Sequence, residues 1–188
     1  TAERYPAWSG ALSLLRPENE AALEGFVLPE ATEALAIEVY VDSADDQTGT
    51  LDLFVTVEDG LGVSQQLMMQ SEDATRRTFV TYRADLPQPI RAPWRMTAIS
   101  FASQWTTDDE ETTDEAESQR FEQIILIDTL TALNADGTET VIEDFERTRL
   151  PEWRIPEMQE SGLVAVRTTA LSHSDEASLR VRYEVEPG

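Results

Sequence analysis

Leu35-Ala36-Ile37-Glu38-Val39-Tyr40-Val41 places an aliphatic side chain at every second position. The same period returns in Leu51-Asp52-Leu53-Phe54-Val55-Thr56-Val57 and in Leu179-Arg180-Val181-Arg182-Tyr183-Glu184-Val185. Successive side chains of an extended strand point to opposite faces, so this pattern describes antiparallel strands with one face buried and one wet. Working outward, further strands are expected at Ala11–Leu15, Val63–Met69, Thr78–Ala84, Arg95–Ser103, Glu122–Leu133, Glu139–Phe145 and Leu163–Thr169. Turn chemistry separates them. Glu58-Asp59-Gly60-Leu61-Gly62 and Asn134-Ala135-Asp136-Gly137 read as hairpin turns, Asp42–Gly49 as a longer polar loop, and Pro87, Pro89 and Pro93 as a crossing loop. Pro151 and Pro156 bracket another loop, and no helical stripe is present beyond a single turn over Asn19–Gly25. Many short strands at this spacing predict an all-β antiparallel sandwich.

Composition narrows the chemistry. The chain has 188 residues, 14 Lys+Arg against 37 Asp+Glu, and a formal net charge of -23; all 14 basic residues are arginine, and there is no cysteine. A nucleic-acid binder displaces phosphate counterions with a basic footprint, and an anionic membrane surface repels an acidic chain; both partners are excluded. Without lysine there is no Walker A loop, Schiff base or Ser-Lys dyad. Without cysteine there is no thiol catalysis, zinc-thiolate site or disulfide. Seven of the ten residues from Asp108 to Glu117 are acidic, which predicts a self-repelling solvated loop between two strands. No stretch approaches the roughly 20 apolar residues that span a bilayer. The start Thr1-Ala2-Glu3-Arg4 and the end Glu186-Pro187-Gly188 lead us to expect a piece of a longer chain, with its targeting information elsewhere.

One motif invites a comparison. Glu143-Asp144-Phe145-Glu146, then Trp153, then Ser174–Ser178 and Leu179-Arg180, resembles the opening strands of galactose-binding-like jelly rolls, which include many carbohydrate-binding modules. Ile125-Leu126-Ile127-Asp128-Thr129-Leu130 resembles the closing strand of that family, with Thr129 in place of a second Asp. The resemblance implies that residues 1–138 form most of one jelly roll, and that 139–188 are the opening strands of a following copy. A sandwich short of its first strands has bare edges. The tail is therefore expected to pack back and complete a single sandwich over 1–188, within the chain or as a strand-exchanged dimer. Tandem jelly rolls of this type are similar to the extracellular regions of bacterial ABC-type permeases of the FtsX/MacB-like class. That likeness implies an extracytoplasmic module in a membrane-attached protein.

Site candidates are few. Trp94 and Trp105 bound one strand region and are candidates for a ligand-stacking surface, against the ordinary use of tryptophan in a core. In the resembled family a structural calcium lies between the opening Phe-Glu strand and the closing Asp, which implies Glu146 and Asp128 as ligands here. Asp42, Asp45 and Asp46 do not follow the EF-hand pattern. His173 is the sole histidine; it lies between Ser172 and Ser174 but in no nucleophile elbow, and reads as a surface-loop residue. The function expected is non-catalytic recognition of a ligand or protein partner. A carbohydrate-binding module is the alternative, and an acid-based glycoside hydrolase a more distant one.

Overall fold

The computed structural model describes residues 8–14, 25–42, 48–71, 77–87, 92–106, 121–146, 153–154, 164–173 and 176–185. The acidic run Asp108–Glu117 and the acids Asp45 and Asp46 lie outside the described residues, and of the turn expected over Asn19–Gly25 only Gly25 is described. The described strands are β1 (Trp8–Leu14), β2 (Phe26–Val27), β3 (Thr32–Asp42), β4 (Thr48–Glu58), β5 (Ser64–Met69), β6 (Phe79–Asp85), β7 (Arg95–Thr106), β8 (Phe121–Asn134), β9 (Glu139–Glu143), β10 (Trp153–Arg154), β11 (Val164–Thr168) and β12 (Ser178–Val185). They form two antiparallel sheets, and the protein is an all-β sandwich. The first sheet runs β10-β1-β7-β4-β5, with β2 also on β7; the second runs β11-β12-β8-β3-β6, with β9 also on β8.

The alternation predicted for β3, β4 and β12 is what builds the core. Leu35, Ile37 and Val39 of β3 and Leu179 and Val181 of β12 join Ile125, Ile127 and Leu130 of β8 on one inner face. Leu53, Val55 and Val57 of β4 meet them from the other sheet, with Met96, Ile99 and Phe101 of β7. Burying each such side chain contributes about 1.5–3 kcal/mol, which is why the register of these strands is fixed: a one-residue slip would turn the set to solvent. At one corner the sheets are tied by a bridge in which Gln70 and Arg83 exchange backbone hydrogen bonds of 2.8 Å. The two short strands, β2 and β10, carry too few residues for a period and are invisible to pattern reading.

The order around β8 is unusual. β3 runs along one edge of it. The other edge is shared: β12 pairs from Phe121 to Ile127, and β9 from Leu130 to Leu133. Asp128 and Thr129 fall in the gap, and the β3–β8 ladder is irregular at the same place, between Ile37 and Val39. Strands from 139–188 thus enter both sheets: β9, β11 and β12 in one, β10 beside β1 in the other.

Tight turns use the chemistry their sequences announce. In the β4–β5 hairpin the Asp59 carboxylate accepts hydrogen bonds from the Leu61 and Val63 N–H groups, both at 2.9 Å, and Gly62 takes φ 78°. A Cβ on Gly60 would come within 2.8 Å of the Ala92 carbonyl oxygen, so glycine there lets the hairpin close on the 92–93 segment.

Tyr82 of β6 lies opposite Ile37 and packs against the core. Burial raises its phenol above the ordinary tyrosine range, and the negative charge of Asp52 adds to the effect. The folded state therefore holds this proton more tightly than the unfolded chain. Tyr82 contributes stability that is complete below about pH 10 and is lost as pH climbs through its raised value. With no lysine or cysteine in the chain, tyrosine dominates titration in this range. Thermal melts from pH 8 to pH 11 should show Tyr82→Phe falling less steeply than wild type. Equal alkaline slopes would overturn the assignment of this loss to Tyr82.

Candidate functional site

Asp128 is fully buried, yet it lies in a stretch where its neighbours Ile127 and Leu130 point into the core. The irregular register makes room for it: two residues of β8 stand where Glu38 of β3 stands alone. Asp128 and Glu38 therefore approach one another, and the connection from β11 to β12 brings His173 over both. One donor atom from each of Glu38, Asp128 and His173 lies within 4.8 Å of the others.

Several contacts fix this arrangement. Asp128 Oδ1 accepts the His173 backbone N–H at 3.1 Å, and Oδ2 accepts the Thr129 hydroxyl at 3.1 Å. His173 Nδ1 is paired with Glu38 Oε2, an oxygen closed to solvent that has no other partner among the described residues. The imidazole, half exposed, lies 5.4 Å from the Phe79 ring, which in turn lies 5.5 Å from the Tyr40 ring. Ser178 donates its hydroxyl to the Leu171 carbonyl at 2.7 Å, tying down the loop that carries His173.

The Glu143-Asp144-Phe145-Glu146 segment lies on the other side of the same gap. Glu143 Oε1 accepts the N–H groups of Asp144 (3.2 Å) and Phe145 (2.9 Å), and Phe145 adopts φ 57°, which few bulky residues do. That backbone turn drives the Phe145 ring fully into the core. Glu146 Oε1 accepts the Ala177 N–H at 2.7 Å, joining the end of β9 to the start of β12. Arg167 of β11 then closes the assembly. Its Nε donates to the Phe145 carbonyl at 2.7 Å and its Nη2 to the Glu146 carbonyl at 3.1 Å, and Nη2 lies 3.5 Å from Glu146 Oε2.

This geometry answers the question of a calcium between Asp128 and Glu146. Calcium takes six to eight oxygens. At Glu146 both carboxylate oxygens and two neighbouring carbonyls are already committed, three of these four oxygens to the Arg167 guanidinium. A cation there would face a fixed positive charge, so the residues do not fit the ion. Asp128 instead groups with Glu38 and His173.

The two tryptophan candidates part company. Trp94 is 3% exposed, with its ring in the core cluster, because β7 starts by turning it inward ahead of Met96. It offers no open face for stacking. Trp105 stands on β7 opposite Gly49, and its side chain lies outside the described residues. Glu38 and His173 were not singled out together from sequence. They are 135 residues apart, and Glu38 occupies an ordinary outward position in β3. A separate shallow groove of about 380 Å³ lies at the Gln70–Arg83 corner, lined by Met68, Gln70, Ser71, Arg83, Ala84 and Asp85.

Compared with protein-family models, curated proteins and solved structures, the chain has no match in any of the three, and nothing in them identifies a galactose-binding-like or permease relationship.

The Arg167 clamp yields a direct expectation. Arg167→Ala should cost about 2–3 kcal/mol in denaturant melts, since it leaves a half-buried carboxylate and two carbonyls without their charged donor. Millimolar calcium should leave the wild-type Tm unchanged. A calcium-dependent rise in wild-type Tm would show that the clamp yields to the ion.

Proposed function

We propose that this chain is a non-catalytic β-sandwich module that recognises a protein partner, as part of a larger extracytoplasmic, membrane-attached protein. The observation that carries the reading is the β4–β5 hairpin tip. Leu61 is 77% exposed and Val63 46%, yet the turn beneath them is held rigid by Asp59 and seated on the 92–93 segment. Val27 is exposed at the same end of the sheet, where β2 pairs with the start of β7. Apolar side chains on a preorganised loop lose little entropy on binding, and they do nothing for the fold. The net charge of -23 favours a partner with a basic rim around an apolar pocket. The location outside the cytoplasm rests on the jelly-roll resemblance of the sequence.

A catalytic reading gains little support. A His–carboxylate pair such as His173–Glu38 can orient a general base, but the nearby hydroxyls of Thr129 and Ser178 are turned to Asp128 and to the Leu171 carbonyl. Glycoside hydrolysis needs two carboxylates open to a cleft, and Asp128 is fully buried. Carbohydrate binding has one observation in its favour, the Tyr40–Phe79 ring pair beside Glu38 on the outer face of the sheet.

Photo-crosslinking from position 61 in the full-length protein in its host should trap one discrete protein adduct, and Leu61→Asp should abolish the function of the full-length protein without lowering the module's Tm. Retention on polysaccharide affinity gels that is lost in Tyr40→Ala would replace this reading with the carbohydrate one. Turnover of any polysaccharide by the purified chain would overturn both.

A further inference from the structure

We propose that Glu38, Asp128 and His173 form a binding site for one divalent transition-metal ion of the zinc class. This inference is independent of the recognition reading and uses a different surface. Its first support is geometric. The three donors come from β3, β8 and the β11–β12 connection, and their ligand atoms already lie within 4.8 Å of one another. Ligands around a tetrahedral ion at 2.0–2.2 Å stand roughly 3.3–3.6 Å apart, so an ion would part the direct His173–Glu38 contact and draw in Asp128, a local shift of the exposed loop that carries His173.

The second support is charge. Asp128 is fully buried, and the Glu38 oxygen that faces His173 is closed to solvent. The site thus presents two carboxylates, one fully buried, to a single imidazole. A divalent cation cancels both charges. His173 Nδ1 and Glu38 Oε2 already face one another, and a bound ion would take the place of that direct contact.

The third support is the donor set with its supporting contacts. One imidazole nitrogen and two carboxylate oxygens suit zinc and its first-row neighbours better than calcium or magnesium, which take oxygen alone. Asp128 is oriented by the Thr129 hydroxyl and the His173 N–H, and the imidazole by the Phe79 ring. Outer contacts of this kind preorganise metal sites. His173 is 52% exposed, which gives the ion a route in. Bound there, the metal would pin the β11–β12 connection onto β3 and β8, and three protein ligands leave a fourth position for water or an incoming group.

The test is calorimetric titration of the metal-free chain with zinc, alongside thermal melts. One ion per chain is expected to bind, with Tm raised by roughly 5–10 °C at a free zinc concentration 100-fold above Kd. Calcium at the same concentration should produce no rise. His173→Ala and Glu38→Gln alter partly exposed side chains, so both should fold, and each should weaken zinc binding at least about tenfold. Cobalt should give a visible absorption band that His173→Ala removes. The proposal fails if zinc up to about 1 mM, the weak limit of specific binding, neither binds nor raises Tm. It also fails if several ions bind and His173→Ala binds them equally, since that is the behaviour of scattered surface carboxylates.

Discussion

Strand β8 carries two neighbours on one edge, and the rest of the second sheet is arranged around the gap between them. A continuous partner would have satisfied its backbone from end to end. Instead β12 leaves at Ile127 and β9 begins at Leu130, and side chains tie together the segments that meet at this interval. Glu146 does so from one side by accepting the Ala177 N–H, and Arg167 seals that contact by binding two carbonyls and the carboxylate. Asp128 does so from the other by holding the His173 N–H. The polar groups buried here are thus seam closures. Their burial is tolerated because each is hydrogen-bonded.

The seam also explains why a structural cation of the kind suggested by the Phe-Glu motif is superfluous at Glu146. An arginine delivers a positive charge and directed N–H groups on a single side chain, and its planar fork reaches carbonyl and carboxylate oxygens together. The guanidinium performs covalently what a bound ion would perform by association. Its presence does not depend on the concentration of a free ion, whereas a bound ion's occupancy would. Across the gap Asp128 groups with Glu38 and His173 instead, the set proposed above to hold a metal ion.

Legibility from sequence divided along physical lines. The long alternating strands were readable because Leu35, Ile37 and Val39 or Leu53, Val55 and Val57 must all face one way for the core to form. The hairpin turns were readable because Asp59-Gly60 and Asp136-Gly137 carry their own conformational instructions. Pairing order was not, since nothing in the pattern of β8 says that its edge is divided. The candidate site followed the pairing order. Asp128 was visible as a charge inside an apolar run, but Glu38 looked like any outward residue of β3, and His173 like any loop residue. Only the irregular register between Ile37 and Val39 brings them together. Trp94 failed as a binding candidate for a related reason: a tryptophan at the start of a strand can face either way, and the pattern does not say which.

The divided edge has a consequence for synthesis. β8 ends at Asn134, but β12, which covers the larger part of its edge, ends only at Val185. A ribosome adds about 50 residues between those points, which at roughly 5–20 residues per second takes several seconds. Throughout that interval the Phe121–Ile127 segment is a bare, strongly apolar strand edge on a nascent chain, open to pairing with a neighbouring polypeptide. Efficient production of this protein therefore depends on what shields that edge during elongation, and slowing translation across the codons for residues 135–185 should increase its aggregation more than slowing it anywhere earlier.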